Sequence, residues 1–292
     1  MSTVASSPAA ATAKHSRGLA LLRATGPVGI ACAVIIAVAA FVAIFGSWLV
    51  PYDPYVSNLS LVWVGPLGGH VLGFDGQGRD VASRLIAGAG NSMLGPMAVV
   101  VFSMTIGSAL ALIAAWRGGG VVDSAISSGL DILFAFPGIL LAVLAAAVLG
   151  PSLLAASIAI AIAYTPYVAR VLRGAALKER RQLYVAALEV QGASATSICF
   201  RHLIPNMLPL IIAQATINFG YAVVDLAAIS YLGLGVQPPH ADWGVMISEN
   251  QSGILQGYPL PALAAGACIV LVVVAFNLLG ERLFEVTKQQ SR

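Results

Sequence analysis

One acidic side chain, Asp225, falls well inside an apolar run long enough to span a bilayer, Met207–Ser230. An ionisable group in that setting is costly to bury and has a function by default. It would line a solute path or carry a proton. A structural carboxylate paired with a polar group on a neighbouring helix accounts for it equally well. A single carboxylate without a partner base is thin support for proton-coupled transport. The other reactive residues are scattered. His15, His70, His202 and His240 share no ligand spacing. Even if His70 and His240 met, two histidines would not make a metal site, so no bound metal is expected. Neither H-E-x-x-H nor G-x-S-x-G occurs, which weighs against common zinc and serine hydrolases. The three lysines stand in "TAKH", "ALKE" and "VTKQ", so no phosphate-binding G-x-x-x-x-G-K-[ST] can be written. "GQGRDV" lacks the third glycine and the preceding strand of a dinucleotide site. A non-catalytic chain with no cofactor of its own is expected.

The elements that must position Asp225 are set by composition. The 292 residues are 9% charged, with a mean hydropathy of +0.89, where soluble domains carry about 25% charge. Lipid must therefore do most of the solvation. A spanning helix needs roughly 20 apolar residues. Six stretches meet or approach that length: Val28–Val50, Met93–Ala115, Ile132–Leu149, Ser152–Ala169, Met207–Ser230 and Leu260–Gly280. Their apolar residues are continuous rather than alternating, which indicates helices and not a barrel. The fold expected is all-α, a polytopic membrane protein with six transmembrane helices.

Placing the N-terminus inside puts 13 of the 15 Lys and Arg residues on inner segments and leaves only Arg79 and Arg84 outside. An N-in/C-in orientation follows from the positive-inside rule. Residues 1–27 read as an inner tail of small residues, partly disordered. The first apolar run is too long for a signal-peptide core and leads into "PYDP", so a retained span is expected. Residues 28–285 form the transmembrane domain, and 286–292 a second inner tail. In the first outer segment, "RDVASRLIAG" reads as a short amphipathic helix leading into span two. Asp80 and Arg84, spaced i,i+4, would pair on its surface. In the second outer segment, Leu232–Pro259, Trp243 would anchor at the membrane interface, and apolar residues would fold back toward the bilayer. "WRGGGVVDSAISSGLD" reads as the inner loop between spans two and three. No basic patch is interleaved with aromatics, so no nucleic-acid partner is expected. Cys32, Cys199 and Cys268 have no plausible extracytoplasmic partner, so no disulfide is expected.

The most basic run, "RVLRGAALKERR", precedes a partly helical island, "YVAALEVQGASATSICFRHLIPN", between spans four and five. This island resembles the inner loop of ABC-importer membrane subunits, EAA-x3-G-x9-I-x-L-P, in the form peptide importers use. Tyr184, Val185, Ala187, Gly192, Ala193, Ser194, Arg201, His202, Pro205 and Asn206 match it. Ala186 stands where glutamate is usual, Leu188 replaces the second alanine, and Glu189 supplies a carboxylate one turn later. "LGFDGQGRDVASRLIAGAGNSM", "DILFAFPGILLAVLAAAVLGPSL" and "ISYLGLGVQPPHADWGVMI" are similar to further family motifs, so the resemblance covers about residues 28–285. It is closest to the dipeptide/oligopeptide permeases of the DppC/OppC type. That type usually has glutamate at the position of Leu226; here Asp225 lies one place earlier.

The resemblance implies a permease subunit in the inner (plasma) membrane, forming half of a translocation path for dipeptides or oligopeptides. The partners implied are a homologous second permease (DppB/OppB-like), two ATPase subunits using ATP and Mg, and an extracytoplasmic solute-binding protein, all alongside membrane lipid. The 183–195 loop would be the coupling helix, with Tyr184, Ala186, Ala187, Glu189, Gly192, Ala193 and Ser194 at the ATPase contact. Leu183, Ala187 and Val190 would face the protein's own helices, and Gly192 would permit the turn that ends the helix. Asp225 would line the path, and Gln237, Pro238, Pro239 and Trp243 would face the binding protein. Nickel or haem-like cargo, or a self-contained secondary transporter, are the alternatives.

Overall fold

The computed structural model describes residues 26–290, with side chains described to residue 285. The expected tail therefore lies, up to residue 25, outside the described residues, as do residues 291 and 292. Among the described residues there are only helices, connecting segments and two isolated bridges, Leu67–His70 and Phe74–Asp80.

Helix α1 (Gly26–Leu49) buries only Gly29, Cys32 and Gly46. A helix apolar all round and so little covered is one solvated by lipid. Helix α2 (Val81–Trp116) is 36 residues long, about 54 Å at ~1.5 Å per residue, well beyond a hydrocarbon core of about 30 Å. The short helix expected ahead of span two is therefore the first part of α2. No glycine, proline or cap interrupts Val81–Ser92 strongly enough to separate it.

Span three differs from expectation. It is a broken pair, α3 (Val121–Phe134) and α4 (Gly138–Leu149), bent by 80°. Phe136 precedes Pro137, and a residue before proline is pushed out of the helical region. Helix α3 occupies most of the stretch read as a loop. In its first turn, Asp123 accepts from Arg173 Nε and Nη2 at 2.7 and 2.6 Å and from Gly119 N at 3.0 Å.

Helix α5 (Leu153–Arg180) runs against α2, the most extensive pairing in the bundle. Ser152 caps its start by accepting from Ala155 N. Helix α6 (Leu183–Val190) follows after two residues. A single turn, α7 (Ala195–Ile198), and a π-helical turn, Cys199–Leu203, then feed α8 (Ile204–Tyr231). Two short helices, α9 (Trp243–Glu249) and α10 (Gln251–Leu255), lie in the long segment before α11 (Leu260–Gln290). Helix α11 continues through residue 285 without a break. Helices α8 and α11 pack together, and α1 covers α2 and α11.

Among the described residues, five helices are long and apolar enough to cross a membrane, or six when the bent pair counts as one span. The core between α2, α5, α8 and α11 uses small residues as well as large ones: Ala111, Ala115, Val168, Leu172, Ala176, Phe219, Val223 and Ala265. Without a hydrophobic force between helices in lipid, close backbone approach is what packing rewards.

Candidate functional site

Three places gather polar or exposed chemistry: each end of the bundle, and a cleft between them.

At the end bearing residues 170–206, α6 is held from one side only. Val185 is buried with Ile198, Cys199 and Leu203, and Tyr184, Leu188, Leu112 and Trp116 pack around them. The Tyr184 hydroxyl donates to Glu179 Oε1 at 2.7 Å, and Asn206 Nδ2 reaches both groups. Burial, then the Glu179 carboxylate, push that hydroxyl up to about 12, so it remains a donor at physiological pH. Arg180 lies over the Trp116 ring, 4.6 Å from its centroid, and donates to the carbonyls of Ala115 and Trp116.

The other face of α6 is open. Leu183 is 88% exposed and Val190 89%, with Ala186 and Ala187 exposed between them. These four positions, i, i+3, i+4 and i+7, form one helical stripe. The expectation that Leu183, Ala187 and Val190 face the protein's own helices is therefore corrected. The inward contacts belong to Tyr184, Val185 and Leu188, because the anchoring cluster from α7 and the π turn lies on that side.

Gly192 ends α6 at φ +81°. Gly192 N donates to Glu189 O, and Ala193 N to Leu188 O, both at 3.0 Å. This is the paired bonding of a Schellman ending, where a side chain at the left-handed position is strained. Ser194 is exposed and accepts from Ser197 N at 3.3 Å, opening α7, while Ala193 is half-buried. Glu189 is exposed, 3.9 Å from Arg180 Nη2.

At the opposite end, residues 50–80 and 232–259 are locked together by buried charge. Arg79 Nη2 and Arg84 Nη2 both donate to Glu249 Oε2, at 2.7 and 2.8 Å. Asp75 accepts from Arg79 Nε at 2.8 Å and lies 3.5 Å from Arg84 Nε. Arg84 and Asp75 are fully buried. The surface pairing expected of Asp80 and Arg84 is thus corrected. Asp80 caps α2 through Ser83 N at 2.7 Å and bonds His70 Nδ1 at 2.8 Å, while Arg84 turns inward to Glu249. Residues 165 positions apart meet here, which i,i+4 reasoning does not reach.

Asp242 extends this lock by accepting from Ser92 Oγ at 2.7 Å and from Gly244 N and Val245 N at the start of α9. Gly244 is required by close approach, since a Cβ there would lie 2.3 Å from Ala227 O. Trp243 is only 4% exposed and donates Nε1 to Leu85 O at 3.0 Å. It is a core residue, not the interfacial anchor or outward-facing contact expected. Met246 and Val245 are buried beside it, so this segment does fold back on the bundle. Pro238 and Pro239 are exposed, and Gln237 is half-buried, donating to the carbonyls of Gly233 and Gly235.

Between the ends, a cleft of about 470 Å³ is lined by Tyr164 and Tyr167 of α5, Asn218, Tyr221 and Asp225 of α8, and Phe134 and Phe136 at the break of span three. Asp225 Oδ2 accepts from the Tyr164 hydroxyl at 2.8 Å. Leu226, one place on, is 3% exposed and packs in the core with Val99 and Ile160. A helix turns about 100° per residue, and here that rotation separates a core position from a cleft position. The aromatic lining was not anticipated, although Asn218, Tyr221 and Asp225 at i, i+3 and i+7 carry its pattern.

Residues 107–289 match the family described as "Binding-protein-dependent transport system inner membrane component". The chain belongs to this family. Its membership makes it a multi-pass inner-membrane permease subunit and not an enzyme. It is 36% identical to the probable D,D-dipeptide transport system permease protein DdpC of Escherichia coli K12, covering 87% of this chain and 85% of that one. It is 38% identical to the dipeptide transport system permease protein DppC of Alkalihalophilus pseudofirmus, over 86% and 82% of the two chains. A glutathione transport system permease protein, GsiD of Pectobacterium atrosepticum, is 34% identical over 88% of this chain and 85% of its own. Among solved structures, the inward-facing MetNI methionine ABC transporter has a chain with the same fold. Its TM-score is 0.58 at 20% identity, covering 70% of this chain and 96% of that one.

Proposed function

We propose that the permease is one half of the translocation path of an ATP-driven importer for dipeptides or short oligopeptides. The cargo class is supported by relatives named for dipeptide and glutathione transport. The complete importer adds a homologous second permease, two ATPase subunits that hydrolyse ATP with Mg, and an extracytoplasmic solute-binding protein. The end with α6 faces the cytoplasm, in keeping with its excess of Lys and Arg. Helix α6 seats in a groove of an ATPase subunit, and the Gln237–Pro239 turn at the opposite end meets the binding protein.

The observation that carries this reading is the apolar stripe of Leu183, Ala186, Ala187 and Val190, exposed on a helix that is anchored on its other face. Apolar side chains held out into water at 88% and 89% exposure favour a partner surface. Asp225 and the aromatic cleft lie on the path between the two permease halves.

The test is reconstitution of the five-part complex in proteoliposomes. Uptake of a dipeptide is expected only with ATP inside and loaded binding protein outside. Ion-gradient-driven uptake by this chain alone would overturn the reading.

A further inference from the structure

The Asp225 cleft has a chemistry of its own, beyond lying on a path. Among the residues that line it, Asp225 carries the only charge. Tyr164 satisfies Oδ2, and among the described residues no other side chain bonds this carboxylate. Arg170, which stands 4.8 Å over the Phe134 ring, does not neutralise it, because Arg170 Nη2 is bonded to Asp131 at 2.7 Å. The Asn218 amide is also engaged, accepting from Gln214 Nε2 at 3.1 Å. What remains is one carboxylate among the rings of Tyr164, Tyr167, Tyr221, Phe134 and Phe136.

A carboxylate beside aromatic faces in a low-dielectric setting attracts an organic cation, through charge and through the ring quadrupoles. It repels a carboxylate. It offers too few oxygens for a hard metal ion, which takes six or more. The cleft's volume falls within the range that holds small molecules.

We propose that this cleft is a receptor for a primary ammonium group, and that the group it takes is the N-terminal ammonium of the peptide in transit. This rests on the peptide-import function proposed above. The N-terminal ammonium is the one cation that every unmodified peptide carries, so a site reading it alone is indifferent to side chains.

The test pairs cargo with residue. A dipeptide and its N-acetyl derivative are each loaded on the binding protein, and uptake by the reconstituted complex is measured at saturation. The free amine is expected to cross about tenfold faster, a factor close to what a single hydrogen bond between charged groups is worth. Asp225→Asn should bring the free amine down to the slow rate and leave the acetylated peptide unchanged. Asp225→Glu should keep most of the preference. Equal slowing of both cargoes by Asp225→Asn would overturn the proposal.

A second readout needs no binding protein. Propylammonium chloride should raise the melting temperature of the solubilised complex relative to sodium chloride at equal ionic strength, and Asp225→Asn should abolish the difference. An equal shift in the variant, or none in the wild type, would contradict the ammonium site. Absence of any peptide uptake would instead sink the cargo assignment, while the propylammonium shift would still report on the cleft.

Discussion

The two ends of the permease are built on opposite principles. At the end formed by residues 50–80 and 232–259, charge is buried. Asp75, Arg79, Arg84 and Glu249 pair with one another inside the protein and tie together segments distant in sequence. At the other end, apolar surface is exposed. Helix α6 shows Leu183 and Val190 to solvent and is anchored through Tyr184, Val185 and Leu188. The first arrangement is complete within the chain. The second leaves apolar surface that, on the proposed function, an ATPase subunit covers. On the proposed function, one end is a rigid cap and the other a handle by which ATPase subunits move the bundle.

The largest expected effect tests the cap. Arg84→Ala leaves Glu249 and Asp75 short of one cation in a buried site, a change that costs about 3–5 kcal/mol. Thermal unfolding of the solubilised permease should register it as a large drop in Tm. A change no greater than that of a surface substitution, about 0.5 kcal/mol, would show that the cluster is not the clamp described.

The next effect tests the handle by the opposite signature. Leu183→Asp or Val190→Asp should leave Tm within the range of a surface change, yet reduce recovery of ATPase subunits with the permease by more than about tenfold, or ~1.4 kcal/mol. Unaltered recovery would make the stripe an incidental surface. A smaller change is expected of Gly192→Ala, since a side chain in the left-handed region costs roughly 1–2 kcal/mol. It should lower the amount of dipeptide moved per ATP hydrolysed while assembly persists. Smallest is Tyr184→Phe, which removes the bonds to Glu179 and Asn206, worth about 0.5–1.5 kcal/mol. Faster amide exchange confined to α6 would report it, and exchange unchanged there would show the hydroxyl to be dispensable.

The presence of a short helix ahead of Gly192 was legible in the sequence, because its determinants are local. The step from Gly192 to Pro205, the glycine at a helix end and the basic run are all short-range signals. Its orientation was not legible. Which face of α6 turns inward depends on Ile198, Cys199 and Leu203, which reach it only through the fold. The cap was misread for the same reason. Asp80 and Arg84 suit an i,i+4 pair on a surface helix, but Arg84 finds Glu249, supplied by a segment far along the chain. Span three was placed by hydropathy yet broken by Pro137, and hydropathy does not report a bend. Asp225 was recognised by its charge alone. The tyrosines around it come from two helices and a break, so the cleft exists only in three dimensions.

The account's central claim is that the exposed face of α6 seats against an ATPase subunit. The most direct test places a cysteine at Ala186, exposed in the middle of the stripe, after Cys32, Cys199 and Cys268 are replaced. A short bifunctional maleimide is then applied to the transport-active complex, whose ATPase subunits carry single cysteines along the candidate groove. A covalent permease–ATPase adduct that forms from Ala186→Cys, and not from a cysteine in the Gln237–Pro239 turn, is the predicted result. An active complex that gives no adduct from Ala186→Cys with any groove position would contradict the claim.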